Sequence, residues 1–394
     1  MRTTATHIVE QVNGKIAAAD LDEIIHTNGL FKGRLGLLVY YFYSYKFSPD
    51  QEFLDGMERM LAIIFDEIND GSEQFLRNAS YADGLSGLGI VLTELINEGI
   101  LDETYLMQLD DLDDVMYENC ITFINHENFD FFHGAFGIIR YFEVRGKKDH
   151  LTRIIQLLST KAYNKGTEAD IFNNSVHDEY VTGCNFGIAH GIPGFLLILL
   201  NLYEQDIEKE YCKKLLEDGL DYLISFRNQA NGISPLVNFP YNIYKETAGM
   251  RKVHVNTRLA YCNSDLGITF LLLRAAKTLD NNRYEDIALE IGNCCTQRTN
   301  FDLTGVEDYH FCHGAAGVAQ LYTRIAGISG QSIFTDAYEH WINRTISSLE
   351  EDMQLEDIST VKLSFLHGWL GAVLAVYGYL KPELKAWDKF FLLS

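Results

Sequence analysis

The chain alternates between two kinds of apolar segment. In one kind nearly every residue is apolar, as in LLVYYFYSY, IVLTELI, FLLILLNLY and AVLAVYGYL, and no face is left for water. At helix length such runs predict buried helices. The other kind places apolar residues at intervals of three and four, as in Gln51 to Asn69, Glu103 to Asn125, Glu208 to Arg227 and Ser332 to Glu350. These predict helices with one wet face. Period-two alternation is scarce and only five prolines interrupt the chain, so an almost wholly helical protein is expected.

Each all-apolar run follows one short signature, a small residue, two residues, then glycine: Gly33–Gly36, Gly84–Gly87, Gly134–Gly137, Gly191–Gly194, Ser264–Gly267, Gly314–Gly317 and Gly368–Gly371. The copies recur about every fifty residues, with a longer connection before the fifth, which marks one supersecondary unit repeated seven times. Seven inner and seven outer helices follow. The first and last copies are as apolar as the middle ones, so the expected all-α architecture is a closed α/α toroid, one domain over residues 1–394. An open solenoid would need polar ends.

Superposing the copies on their second glycine aligns Phe31, Ala82, Phe132, Ala189, Cys262, Cys312 and Leu366, and, one residue later, Lys32, Asp83, His133, His190, Asn263, His313 and His367. In a toroid these positions converge on one rim of the central cavity. Cys262 and Cys312 share a register in neighbouring copies, and His313 follows Cys312. Two thiolates and one imidazole make a candidate zinc site whose fourth tetrahedral position is open to water or substrate. Sulfur and nitrogen donors favour zinc over magnesium or calcium. Taken singly the three residues read as two small buried hydrophobes and a core histidine; the shared register favours the metal.

His190, in GIAHGIPGF, is a candidate acid or base. Arg258, in NTRLAYC, is a candidate for stabilising negative charge that develops beside the metal. A histidine without chemical work and a surface arginine are the competing readings. Cys120, Cys184, Cys212, Cys294 and Cys295 read as packing residues.

Charge and composition narrow the partners. With 55 acidic against 32 basic side chains the formal net charge is -23, which repels nucleic acid and anionic lipid. The densest acidic cluster, Asp110, Asp111, Asp113 and Asp114, reads as a solvated helix face. Seven dispersed cysteines suit a reducing cytoplasm, and the opening MRTTATHIVEQVNG lacks the apolar run of a signal peptide. The stretch Phe186 to Tyr203, broken by His190 and Pro193, falls short of the ~20 apolar residues of a spanning helix, so no membrane span is expected.

GLSG at Gly84–Gly87, AHGIPG at Ala189–Gly194, RLAYC at Arg258–Cys262 and CHG at Cys312–Gly314, set in the sevenfold glycine pattern, resemble lanthionine synthetase C-like proteins over essentially the whole chain. The resemblance implies an α/α toroid with a central zinc. As in the bacterial lantibiotic cyclases, it implies addition of peptide cysteine thiols to dehydroalanine or dehydrobutyrine, giving thioether rings. It carries one zinc per chain onto Cys262, Cys312 and His313, a cavity histidine onto His190 and an active-site arginine onto Arg258. It further implies a dehydrated precursor peptide with its leader as substrate, a dehydratase and a peptide transporter as partners, and a monomer.

The chain departs from the family in two places. Tyr261-Cys262-Asn263-Ser264 stands where the family often has tryptophan, cysteine, tyrosine and glycine. The family's aspartate upstream of the second glycine motif falls near Ser80, with Asp83 the nearest acid and no acid–base role assigned to it. Relatives outside lantibiotic clusters bind glutathione or protein partners without cyclising, and that is the alternative function. A zinc-bearing α/α barrel of the prenyltransferase kind is disfavoured by seven rather than six copies.

Overall fold

A helix apolar on every side must be surrounded by other helices, and the chain sorts its helices on that ground. The computed structural model describes residues 1–71, 73–162, 182–229, 234–245, 251–355 and 358–394. Its long helices are α1 (Arg2–Ala18), α2 (Arg34–Phe47), α3 (Gln51–Asn69), α4 (Leu85–Asn97), α5 (Tyr105–Asn125), α6 (Ala135–Arg145) and α7 (Lys148–Ala162). They continue with α8 (Ile192–Glu204), α9 (Lys209–Ile224), α10 (Asp265–Leu279), α11 (Asn282–Thr296), α12 (Ala315–Ser329), α13 (Ser332–Asp352) and α14 (Trp369–Leu380). The even-numbered helices are the inner set: α8 is buried from Ile192 to Leu202 and α14 from Trp369 to Gly378. The odd-numbered ones bury a stripe, as α3 does with Met57, Met60, Leu61 and Ile64. Among the described residues the seven pairs expected from the sequence are all present.

The glycine signature has a steric cause. Gly84 and Gly191 cap α4 and α8 with ordinary extended backbone, so a left-handed conformation is not what selects glycine. Space selects it: a Cβ on Gly84 would lie 2.0 Å from the Asn78 carbonyl oxygen, and one on Gly87 would lie 2.4 Å from that of Tyr81. The loops before α4, α6, α12 and α14 fold back onto the first turn of the helix that follows. The amides of Leu85, Ala135, Ala315 and Trp369 donate to the carbonyls of Asn78, Asn128, Asp308 and Lys362 at 2.7 to 3.0 Å. At the same register the side chains of Asn78, Asn128, Asn185 and Asp308 accept the amides of Ser80, Asp130, Gly187 and His310 at 2.8 to 3.3 Å. Asn and Asp suit this place because their short side chains cap the backbone two residues on.

The chain forms two compact units. The first comprises residues 1–105, 306–323 and 334–394, and the second residues 106–305 and 324–333. In the first unit α14 packs on α1 and α2, joining the last repeat to the first. Backbone hydrogen bonds stitch the loops at matching registers: Phe365 to the Phe31 carbonyl at 2.8 Å, Leu30 to Ala82 at 2.8 Å and Cys312 to Leu366 at 2.9 Å. A terminal 3-10 helix, Pro382–Phe391, sets the Phe391 ring against Phe31, Phe311 and Phe365 at 5.5, 4.3 and 5.0 Å.

In the second unit α8 packs on α9 and α10 on α11, with α8 also against α6 and α10. Two features depart from expectation. A three-stranded antiparallel sheet, β1 (Thr182–Asn185), β2 (Asn242–Lys245) and β3 (Arg251–His254), pairs Cys184 with Ile243 and Ile243 with Val253. The acidic cluster on α5 is not wholly solvated either. Asp113 is 3% exposed, accepts the Tyr141 hydroxyl at 2.5 Å and pairs with Arg145 and Lys147 at 3.0 and 2.8 Å. A buried carboxylate persists only with such partners.

Candidate functional site

The second unit contains His190, Arg258 and Cys262, and the first contains Cys312 and His313. In the second unit the tight loop before α8 presents His190, whose Nδ1 lies 2.8 Å from Asp130 Oδ2. The other Asp130 oxygen accepts the His133 amide at 2.7 Å. The carboxylate is 3% exposed and the imidazole 43%, so the acid is sunk into the loop and the base faces outward. Phe132 meets the His190 ring edge-on at 5.0 Å and His133 stacks on it at 5.9 Å. Burial opposes protonation of His190, but the hydrogen bond and charge of Asp130 outweigh it, with help from Cys262, and raise the ring above the ordinary histidine value. Burial likewise opposes ionisation of Asp130, and His190 with His133 overcomes it and holds the acid below the usual carboxylate range.

Cys262 is tied to the same loop. Its carbonyl accepts the Ala189 amide at 3.2 Å, and a Cβ on Gly187 would meet that oxygen at 2.1 Å. His190 and Cys262 are therefore placed together by backbone contacts. The Arg258 amide is capped by Asn256 Oδ1 at 3.1 Å, and the following amide, Leu259, donates to Thr304 at 2.8 Å. Arg258 lines a cavity of about 10 Å³ with Asn263, Asp265 and Arg298, a volume on the order of one water. Asn263, where the family often has tyrosine, spends its amide on Tyr241 O at 3.0 Å and Asn185 Oδ1 at 3.2 Å. Its work is to brace the β1–β2 region against this loop.

In the first unit the loops before α12 and α14 carry the donors. The ligand atoms of Cys312, His313 and His367 lie within 4.8 Å of one another, and so do those of Asp308, His310 and His313. The His313 ring stands 5.2 Å from His367 and 5.6 Å from His310, and His310 Nδ1 is 2.9 Å from Asp308 Oδ2. Burial and the neighbouring charges of His313 and His310 push His367 down to about 4, so it is neutral at physiological pH. A half-buried thiol and imidazoles converging at this range form the donor chemistry that zinc takes.

Sequence reasoning missed three members of these clusters. Asp130, not an acid near Ser80, partners His190; Ser80 is buried and its Oγ accepts the Asp83 amide at 3.2 Å. His310 and Asp308 escaped notice because they precede the aligned positions. His367 and His133, read as lacking evident partners, lie beside His313 and His190. The signal that would have found Asp308 is the recurring Asx at one register, with an acid where three other copies have Asn78, Asn128 and Asn185.

Among the described residues no helix is long and apolar enough to cross a membrane. A family profile described as lanthionine synthetase C-like protein matches residues 25–392. The nisin biosynthesis protein NisC of Lactococcus lactis subsp. lactis is 24% identical over 346 residues, 80% of this chain and 79% of its own length. The solved structure of nisin cyclase superposes with a TM-score of 0.76 at 20% identity, covering 99% of this chain and 96% of the other. That likeness shows the fold to be the helical toroid expected from the repeats.

Proposed function

The chain belongs to the lanthionine synthetase C-like family, and from that premise we propose that it is a zinc-dependent peptide cyclase. Its substrate is a dehydrated precursor peptide with leader, made by a dehydratase and exported by a peptide transporter. The reaction adds cysteine thiols to dehydroalanine or dehydrobutyrine to form (methyl)lanthionine rings, in the cytoplasm and by a monomer. The observation that carries this reading is the Asp130–His190 pair set against Cys262, because an oriented acid–base group beside a thiol ligand serves chemistry that simple thiol binding does not need.

Cys262, Cys312 and His313 would hold the zinc. When bound, the metal supplies a lowered thiol pKa, which makes the nucleophilic thiolate available at neutral pH. Asp130 fixes Nδ1 of His190, so Nε2 is the nitrogen that takes up or returns a proton. In the net reaction the sulfur bonds to the β-carbon of the dehydro residue and one proton is delivered to the α-carbon. His190, kept protonated to higher pH by Asp130, suits that delivery. Arg258 would stabilise the enolate oxygen that forms between the two steps.

The test supplies a dehydrated peptide with free cysteines and counts alkylatable thiols by mass spectrometry. Cyclisation leaves the peptide mass unchanged while thiols vanish. His190→Ala and Arg258→Ala are expected to slow the loss with zinc retained. Thiols that persist as they do without protein would replace this reading with the glutathione- or partner-binding one.

A further inference from the structure

The first unit brings three donors of its own together, Cys312, His313 and His367, one more than the zinc reading uses from that unit. The Cys312 amide donates to the Leu366 carbonyl at 2.9 Å, which locks the loops of the sixth and seventh repeats in register. The next residue in each loop is a histidine, so His313 and His367 leave the backbone from paired positions. Their rings stand 5.2 Å apart, and both offer ligand atoms within 4.8 Å of Cys312 Sγ. The His367 amide is itself held by Ser364 Oγ at 2.8 Å, which fixes the loop that carries it. In the fourth repeat the residue of the same register, His190, is committed to Asp130, whereas His367 stands with Cys312 and His313.

A tetrahedral zinc held by Cys262, Cys312 and His313 has one position over. We propose that His367 fills that position in the resting protein and is displaced by the substrate thiol. The inference rests on the zinc reading given above. The exchange balances simply: one imidazole nitrogen leaves, one sulfur enters as thiolate, and the thiol proton passes to solvent. Closing the site in this way excludes small dilute thiols, while a cysteine in a peptide already bound through its leader arrives at high effective concentration and opens it.

X-ray absorption on the zinc-loaded full-length chain counts imidazole and sulfur ligands directly. Two imidazoles and two sulfurs are expected at rest, changing to one imidazole and three sulfurs on saturation with a short cysteine peptide that has no dehydro residue. His367→Asn is expected to keep one zinc per chain, show one imidazole at rest, and release zinc to a chelator about tenfold faster or more. It should also admit glutathione at a correspondingly lower concentration. One imidazole in the resting wild type, or two retained in the presence of the saturating thiol, overturns the proposal. Should His367→Asn fail to fold, the wild-type counts with and without thiol decide alone. Failure of the zinc reading itself has a separate signature: no stoichiometric zinc, or zinc that survives Cys312→Ala, removes the ground of the proposal whatever the imidazole count.

Discussion

The loop ahead of α6 and the loop ahead of α12 share a backbone plan yet carry different chemistry. In both, an Asx side chain caps the turn, the first helical amide returns to that residue's carbonyl, and glycine caps the helix. In the second unit the cap is Asn128, and the acid sits two residues later at Asp130, 2% exposed, where it reaches the imidazole of the following repeat. In the first unit the cap is itself the acid, and Asp308 pairs with His310 of its own loop, leaving Cys312 and His313 among neighbouring donors. A scaffold that fixes where side chains begin thus builds an acid–base pair in one loop and a metal-donor cluster in another through small shifts in where the carboxylate stands.

The contrast is broken most completely at Cys312. Cys312→Ala is expected to lose zinc, measured by metal analysis, and cyclisation with it, down to the rate without protein, while leaving the Asp130–His190 pair intact. Next in size, Asp130→Asn is expected to keep zinc and slow cyclisation by about ten- to a hundredfold, less than the roughly 10²–10⁴ attached to losing a general acid or base outright. The sign of its pH effect is fixed. Burial lowers the His190 pKa and Asp130 raises it above normal, so removing the carboxylate lets it fall. An activity that needs protonated His190 should then be lost at lower pH, and histidine NMR should show the ring titrating lower.

A smaller effect tests the shared backbone. Cβ atoms on Gly134 and Gly314 would meet Asn128 Oδ1 and Asp308 Oδ1 at 2.1 and 2.2 Å. Gly134→Ala and Gly314→Ala are therefore expected to destabilise to similar degrees, about 1–3 kcal/mol in denaturant melts, with only the second weakening zinc. Smallest of all is Gly327→Ala on α12, where nothing lies within 4 Å of the added methyl. There a gain of up to about 1 kcal/mol is expected from helix propensity, with no change in metal or rate.

Much of the architecture was legible because burial writes itself into composition. The inner helices are apolar throughout, and in the first, second, fourth and seventh copies both glycines answer to carbonyl oxygens of the loop before the helix. The sheet was not legible, since strands as short as Thr182–Asn185 offer too few positions for a period of two to declare itself. Nor was the terminal helix that sets Phe391 among three other phenylalanines, because its partners lie in distant loops. At the candidate site, register pointed to Cys262, Cys312, His313 and His190. Asp130 escaped because its value depends on a histidine contributed by the next repeat, and Asp113 was misread because Arg145 and Lys147, which neutralise it, come from beyond its own helix.

The seam between α2 and α14 also bears on how the chain comes into being. Ser44 Oγ meets the Tyr377 hydroxyl at 2.9 Å across 333 residues of sequence. At ribosomal speeds of about 5–20 residues per second, α2 is complete on the order of tens of seconds before its mate exists. Throughout that interval the face of α2 that α14 will cover stands bare, a natural target for chaperones and proteases. The yield of finished protein is then governed by the pace of translation and by who attends the nascent chain, and a rearranged gene that makes α14 just ahead of α2 should shorten that exposure.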